Sequence, residues 1–225
     1  MEQTPNVQIK IDERVFAKDP STSGLGKKII QHSIDLIDTL GFEAFTFAKL
    51  AEKIGCTEGS VYRYFENKHK LLIYHLTWYW RWLDYRLMLA TRNIKSPEER
   101  LRIAIWLLTS PLEQEDRIPQ VDEAALYRIV IAESQKVYLT RNVDADNKQG
   151  LFLSYKSLCK KASGIVHEIN PEYPYPTALI STIVESSCDQ RYFAQHLPSL
   201  TEIGKDQDDR ITEFLTDLVF KVIKK

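Results

Sequence analysis

The window from residue 41 to residue 72 constrains the fold most, because helix caps and helix stops recur in it at short intervals. Thr46 is a good N-cap for a helix that ends at Gly55, a residue that tolerates the left-handed conformation of a tight turn. Thr57 then caps a shorter helix that runs to Phe65. This spacing predicts a helix-turn-helix, a motif whose second helix enters the major groove of DNA.

Helical periodicity continues on both sides of the window. Before it, Ile30, Ile34 and Ile37 share one face of a helix from Gly24 to Gly41. After it we expect six more helices and one loop. The helices extend from a cap at Asn67 to about residue 92, from Ser96-Pro97 to about Ser110, over about 121–139, over about 147–169, from Pro176 to Leu197, and from a cap at Asp206 to the C-terminus, and the loop is Pro111 to Pro119. These patterns predict an all-α fold of about nine helices, with an N-terminal three-helix domain and a larger C-terminal helical bundle.

Composition limits the class of protein. The chain has a formal net charge of -1 and 44% hydrophobic residues, which is typical of a globular protein. No apolar run approaches the roughly 18 residues of a membrane span, and the first residues do not resemble a secretory signal, so we expect a cytoplasmic protein without a membrane partner. The three cysteines lie far apart and no histidine has metal-ligand spacing, so we expect reduced thiols, no metal and no cofactor.

The net charge of the three-helix N-terminal domain, called the head below, gives only weak support for nucleic acid as a partner. From Gly24 to Leu72 there are seven basic and six acidic residues, a net charge of +1. A DNA-binding protein of this charge depends on a few well-placed cations, backbone amides and helix N-termini, and its affinity falls steeply with salt.

The window resembles the signature of the TetR/AcrR family of transcriptional regulators. The matching positions are Gly41-Phe42, Thr46, Leu50-Ala51, Gly55, Gly59-Ser60, Tyr62, Phe65, Lys68 and Leu71-Leu72. The resemblance covers about 45 residues, and the rest of the chain matches only in length and helical count. It implies an arm at 1–23, a DNA-binding domain at 24–70, and a ligand-binding and dimerisation domain at 71–225.

Nine residues are candidates for contact with DNA. They are Thr46, Lys49, Thr57, Gly59, Ser60, Tyr62, Arg63, Tyr64 and Lys68. The resemblance implies that Thr46 and the start of its helix bind a phosphate, that Ser60 and Tyr62 bond the DNA backbone or bases, and that Lys68 reaches a phosphate on the same strand.

The remaining candidates follow from position and chemistry. Tyr64 occupies a position where family members often place an aromatic residue or a histidine facing DNA. Lys49 and Arg63 are exposed cations suited to phosphate or guanine, and Gly59 lets the backbone approach a groove. The alternatives are that both tyrosines pack in the core and that Arg63 and Lys68 are ordinary solvated cations.

The body beyond residue 73 holds most of the aromatic residues. The resemblance implies a ligand cavity among its helices, for which we expect six residues: Trp80, Asp84, Met88, Trp106, Tyr127 and Tyr155. The first three would project inward from the fourth helix, and the other three would face them. Plain core packing is the alternative for each aromatic side chain. The ligand would be apolar or aromatic, with a cationic or hydrogen-bonding group for Asp84.

The last two helices carry apolar stripes, which contain Leu179, Ile183 and Val184 on one helix and Phe214, Leu215, Leu218 and Val222 on the other. The resemblance implies that these helices form a homodimer, whose symmetry suits a palindromic operator. We therefore expect a repressor that a small effector releases from DNA. Two rivals remain: a helical interaction protein that has lost DNA binding, and an enzyme, for which no catalytic motif is visible.

Overall fold

The computed structural model describes residues 9–111 and 121–224, and these residues form eleven α-helices and no strand. The helices are α1 (Gly24–Ala44), α2 (Phe47–Ile54), α3 (Glu58–Tyr62), α4 (Lys68–Thr91), α5 (Pro97–Thr109), α6 (Glu123–Glu133), α7 (Gln135–Tyr138), α8 (Val143–Lys148), α9 (Leu153–Ile169), α10 (Pro176–His196) and α11 (Asp208–Ile223). Short 3₁₀ helices lie at Glu13–Val15, Pro20–Thr22 and Pro198–Leu200. The all-α prediction is confirmed.

The described residues form two compact units. One contains residues 9–79 and 121–152, and the other contains residues 80–111 and 153–224. Helix α4 begins in the first unit and ends in the second. The functional ranges expected from the sequence remain predictions.

Local signals fix the helices of the head in the first unit. Thr46 and Thr57 cap α2 and α3 with their hydroxyls, and Gly55 ends α2 in the left-handed conformation with φ 77° and ψ 41°. Asn67 Oδ1 accepts a bond from the Lys70 amide at the start of α4. Gly41 interrupts α1 with φ 77° and ψ 156°, a conformation that is almost restricted to glycine.

Helix α6 packs along α1 in the same unit. Arg128 of α6 donates two bonds to the Asp38 carboxylate, at 2.9 and 2.7 Å. At the end of α6 the buried Glu133 accepts a 3.0 Å bond from the Phe42 amide, directly after the kink at Gly41. The carboxylate of Glu133 therefore satisfies an amide that the kinked helix leaves without an intrahelical partner.

The second unit is a bundle in which α9 packs on α5 and α10, and α11 packs on α5 and α10. The side chain of Arg191 is 4% exposed and ties three elements together. Its guanidinium donates to Asp208 at 2.6 Å, to the Ser187 carbonyl at 3.4 Å and to the Thr109 carbonyl. A buried charge is tolerated here because the structure supplies these partners.

Four predicted helix boundaries are wrong. The helix expected to run from Thr57 to Phe65 ends at Tyr62. The helix expected over 121–139 is interrupted at Ser134, and the helix expected over 147–169 begins only at Leu153. Gly150, with φ 77°, separates α8 from α9. The N-cap of α11 is Gln207, not Asp206, and it makes no side-chain cap bond. Most of the loop expected from Pro111 to Pro119 lies outside the described residues.

Among the helices of residues 9–111 and 121–224, none has both the length and the apolar character that a membrane crossing requires.

Candidate functional site

The exposed surface of α2 and α3 carries a chain of local polar contacts. Thr57 Oγ1 accepts from the Ser60 amide at 3.3 Å and lies 2.9 Å from Ser60 Oγ. Arg63, at the C-terminal end of α3, donates from its guanidinium to Ser60 Oγ at 3.1 Å. Thr57 and Arg63 are exposed and Ser60 is half-buried, so an exposed guanidinium and two hydroxyls are held together along one short helix.

Gly59 and Tyr62 complete this surface. A Cβ added at Gly59 would meet no atom within 4 Å, although glycine in a helix costs about 1 kcal/mol relative to alanine. Packing within the described residues therefore gives no reason for glycine at this exposed position. Tyr62 packs edge-on against Phe47 with ring centroids 5.0 Å apart, yet 50% of its surface stays exposed.

Thr46 and Lys49 lie at the start of α2, and both are exposed. Thr46 Oγ1 accepts from the Lys49 amide at 3.2 Å, and the Lys49 ammonium donates to the Ala44 carbonyl at 2.8 Å. The cap predicted at Thr46 is confirmed. Contact of either residue with phosphate stays a prediction.

The prediction that Tyr64 faces DNA is wrong, because this side chain is only 3% exposed. Its hydroxyl lies 2.7 Å from Ser23 Oγ, and its carbonyl accepts a 2.8 Å bond from the Ala17 amide of the N-terminal arm. Lys18 Nζ lies 5.1 Å from the ring centroid. The arm covers Tyr64, which sequence spacing alone could not show.

The Lys68 ammonium is bonded within the protein, and its contact with phosphate stays a prediction. Its ammonium donates to the carbonyls of Phe42, Glu43 and Phe45 at 3.0, 3.1 and 3.3 Å. It also lies 4.7 Å from the centroid of the Phe42 ring. All three donors of the ammonium are engaged at the C-terminal end of α1, where a cation stabilises unpaired helix carbonyls.

Two of the predicted ligand residues meet in the second unit. Trp80 is 3% exposed, and its ring stacks on that of Tyr155 with centroids 4.5 Å apart. The Tyr155 hydroxyl donates a 2.9 Å bond to Glu185 Oε1 of α10. Burial raises the pKa of Glu185, and the bond from Tyr155 opposes that rise.

Asp84 lies one helical turn after Trp80. Its Oδ2 pairs with the Lys161 ammonium at 2.7 Å. Its Oδ1 is buried and lacks a hydrogen-bond partner among the residues that the structure describes. A buried carboxylate oxygen without a donor is costly, so this atom is suited to accept a bond from a ligand.

The other three ligand predictions do not join this cluster. Met88 and Trp106 are 50% and 49% exposed, so the prediction that they project into the interior is wrong. Tyr127 is buried in the first unit, where its ring lies 6.3 Å from that of Tyr79. A helix with apolar residues on several sides gives no sequence signal for which side faces inward.

Glu185 is a functional candidate that the sequence analysis did not identify, whereas the neighbouring Cys159 is not one. Burial raises the pKa of the Cys159 thiol to about 11, and a hydrogen bond with Tyr155 opposes this. The thiol is therefore protonated and unreactive at neutral pH. Glu185 follows Val184 in the apolar stripe for which the resemblance implied a dimer interface. No local sequence pattern indicated that it would bond Tyr155.

Comparison with known proteins gives the context for this geometry. Residues 29–74 match the family described as "Bacterial regulatory proteins, tetR family". No curated protein sequence matches the chain.

Several solved structures have a similar fold. The fatty acid degradation regulator FadR from Bacillus halodurans has a TM-score of 0.60 at 16% identity, covering 85% of this chain and 96% of that one. AibR, solved with isovaleryl coenzyme A and operator DNA, has a TM-score of 0.57 at 17% identity, covering 86% and 98%. At these identities the likeness shows the fold of the chain. Within that fold, the helix-turn-helix at residues 29–74 matches the TetR family of bacterial regulatory proteins.

Proposed function

We propose that this chain is a homodimeric repressor that binds a palindromic operator through α2 and α3 and is released when a small apolar or aromatic effector binds the second unit. The observation that carries the proposal is the exposed surface of α2 and α3. There Thr57, Ser60 and Arg63 are linked by local hydrogen bonds, next to a glycine that the protein's own packing does not require. Groups arranged in advance lose little side-chain entropy when they bind a groove.

Because this surface carries few cations, each phosphate contact should account for a large share of the salt dependence of binding. Lys68, which the resemblance assigned to phosphate, is occupied by three carbonyls, so Arg63 and Lys49 are the main cations left on this surface. Each phosphate that a cation neutralises releases counterions, and losing one such contact lowers the salt dependence measurably.

The cluster of Trp80, Tyr155 and Asp84 supports an effector site in the second unit. A stacked aromatic pair offers apolar surface, and Asp84 Oδ1 offers an acceptor for one donor group. AibR, whose fold is similar, was solved with a coenzyme A thioester and DNA together. This precedent supports a small-molecule effector and does not specify which one.

Helix α4 provides a route between effector and DNA. It is one helix from Lys68 to Thr91. Lys68, its first residue, bonds the carbonyls at the end of α1 in the head, and Trp80 and Asp84 lie further along. We propose that effector binding tilts α4 and changes the separation of the two recognition helices, which lowers operator affinity by a shift in population.

The dimer would use the outer faces of α10 and α11. Phe214 and Tyr192 are 47% and 42% exposed, and Leu218 and Val222 of α11 are half-buried. The stripe of Leu179, Ile183 and Val184, in contrast, is buried within the protomer. Sedimentation of Phe214→Glu tests this assignment, because a charge in an apolar interface should convert a dimer into monomers.

The central test is binding of the full chain to duplex DNA from its own promoter, measured by fluorescence anisotropy at several salt concentrations. Arg63→Ala should weaken operator binding by about 1–3 kcal/mol if the guanidinium pairs with a base. Lys205→Ala is the matched control, since Lys205 is an exposed cation of the second unit. Absence of salt-dependent binding to any duplex at low salt would instead favour the interaction protein that has lost DNA binding.

A further inference from the structure

The N-terminal arm is part of the folded head and ends beside the recognition helix. The Ala17 amide donates to the Tyr64 carbonyl at 2.8 Å, and Ser23 Oγ lies 2.7 Å from the Tyr64 hydroxyl. Val15 of the arm is 1% exposed. Gly26 of α1 fits against the arm so closely that a Cβ there would lie 2.3 Å from the Pro20 carbonyl oxygen. The position of the arm relative to α3 is therefore set by several independent contacts.

These contacts place one cation at the edge of the candidate interface. Lys18 follows Ala17, and its ammonium lies 5.1 Å from the centroid of the Tyr64 ring. Tyr64 is the residue after Arg63, the C-cap of α3. The Lys18 ammonium is therefore close to the end of the helix that carries the candidate DNA contacts.

The other basic residues of the described arm are engaged differently. Arg14 donates to both oxygens of the Asp12 carboxylate, at 2.7 and 2.6 Å, so its charge is compensated. Lys10 lines a groove with Tyr74 and Asp19. Lys18 is exposed, and no carboxylate of residues 9–111 or 121–224 lies within ion-pair distance of it. The neighbouring Asp19 caps the Ser21 amide at 2.8 Å.

We infer that Lys18 binds a DNA phosphate that flanks the bases contacted by α3, so that the interface extends from the helix-turn-helix onto the arm. The inference rests on the proposed function. Its physical reason is that an exposed, uncompensated ammonium held beside a groove-binding helix gains most from an anionic partner, and the closest polyanion is the backbone of the same duplex. The contact is independent of sequence and positions the head on DNA.

The test compares three full-length variants by anisotropy titration at several salt concentrations, on the promoter duplex and on an unrelated duplex. Lys18→Met removes the charge but keeps an aliphatic chain on Tyr64, and Lys18→Arg keeps the charge. Arg14→Met is the matched control, because it removes an arm cation that is already paired. Thermal unfolding of each variant reports on folding.

Lys18→Met should reduce the slope of log K against log salt by about 0.9 for each protomer, which corresponds to roughly tenfold weaker binding per protomer in 0.1 M salt. Both duplexes should be affected equally. Lys18→Arg and Arg14→Met should retain the wild-type slope.

Two results overturn the inference while the proposed function stands: an unchanged slope for Lys18→Met, or weaker binding that follows a lowered unfolding temperature at an unchanged slope. Failure of the wild-type chain to bind either duplex overturns the inference together with the proposed function. The wild-type titration therefore separates the two failures.

Discussion

The exposed surface of α2 and α3 in the first unit and the aromatic cluster of the second unit differ in how far apart in sequence their hydrogen-bonded side chains lie. On the first surface, Thr57, Ser60 and Arg63 are linked across intervals of three residues. In the second, Tyr155 bonds Glu185 thirty residues away. Contacts of the first kind follow from helix geometry, whereas those of the second kind exist only after packing. An exposed polar surface can therefore be arranged by contacts within one helix, whereas a buried cluster depends on the packing of separate helices.

The largest expected effect concerns the buried carboxylate of Glu133 in the first unit. Glu133→Ala should destabilise the protein by about 3 kcal/mol, because the buried Phe42 amide loses its acceptor and Lys136 keeps only its ion pair with Glu43. Urea unfolding measures this loss. Glu133→Gln keeps an oxygen acceptor for the Phe42 amide, so its free energy of unfolding should fall by less than half as much as that of Glu133→Ala. Equal losses for the two variants would show that the bond to Phe42 is not what stabilises this site.

The second prediction concerns the pH dependence of the first unit. Burial lowers the pKa of His75 to about 3, from an ordinary value of 6.5. Since the unfolded chain takes up this proton first, the stability contributed by neutral His75 is present above pH 6.5 and is lost as the pH falls toward 3. Between pH 7 and pH 5 the loss should be about 2 kcal/mol.

The control is His75→Gln, followed over the same pH range by urea unfolding. Its free energy of unfolding should fall less between pH 7 and pH 5, because the titrating group is absent while the carboxylates are unchanged. If wild type and variant have parallel pH profiles, the imidazole is already protonated or accessible in the folded state, contrary to its burial against Ser33.

The third prediction compares a glycine from each unit. Gly41→Ala should destabilise by about 1–3 kcal/mol, because φ 77° with ψ 156° is strained for any residue with a Cβ. Gly164→Ala should stabilise by about 0.5–1 kcal/mol, since it lies within α9 and a Cβ there would meet nothing within 4 Å. The unfolding temperature measured by differential scanning calorimetry should therefore fall for Gly41→Ala and rise for Gly164→Ala. A shift in the same direction for both would contradict the backbone argument.

The smallest expected effect separates the two tyrosines on which the comparison depends. Tyr155→Phe should cost about 1 kcal/mol of stability, because Glu185 loses a hydrogen bond in a partly buried site. Tyr62→Phe should change stability by less than about 0.5 kcal/mol, because its hydroxyl belongs to an exposed side chain. The effects on DNA affinity should have the reverse order: Tyr62→Phe should bind DNA more weakly, and Tyr155→Phe should bind it as tightly as the wild type. A loss of DNA affinity in Tyr155→Phe but not in Tyr62→Phe would contradict the proposal that the surface of α2 and α3 binds DNA.

The sequence determined the all-α architecture and the helix-turn-helix, because caps and glycine stops act over three or four residues of one chain. Thr46, Gly55 and Thr57 each have the local role that the sequence predicted.

Tertiary structure alone decided which side chains reach the surface. Tyr64 is covered by an arm that is distant in sequence, and the Lys68 ammonium is engaged by carbonyls at the end of another helix. Met88 and Trp106 are exposed although the aromatic-rich body suggested an interior position. The physical reason is that burial and hydrogen bonding depend on the neighbours that packing provides, and these neighbours lie more than twenty residues away along the chain.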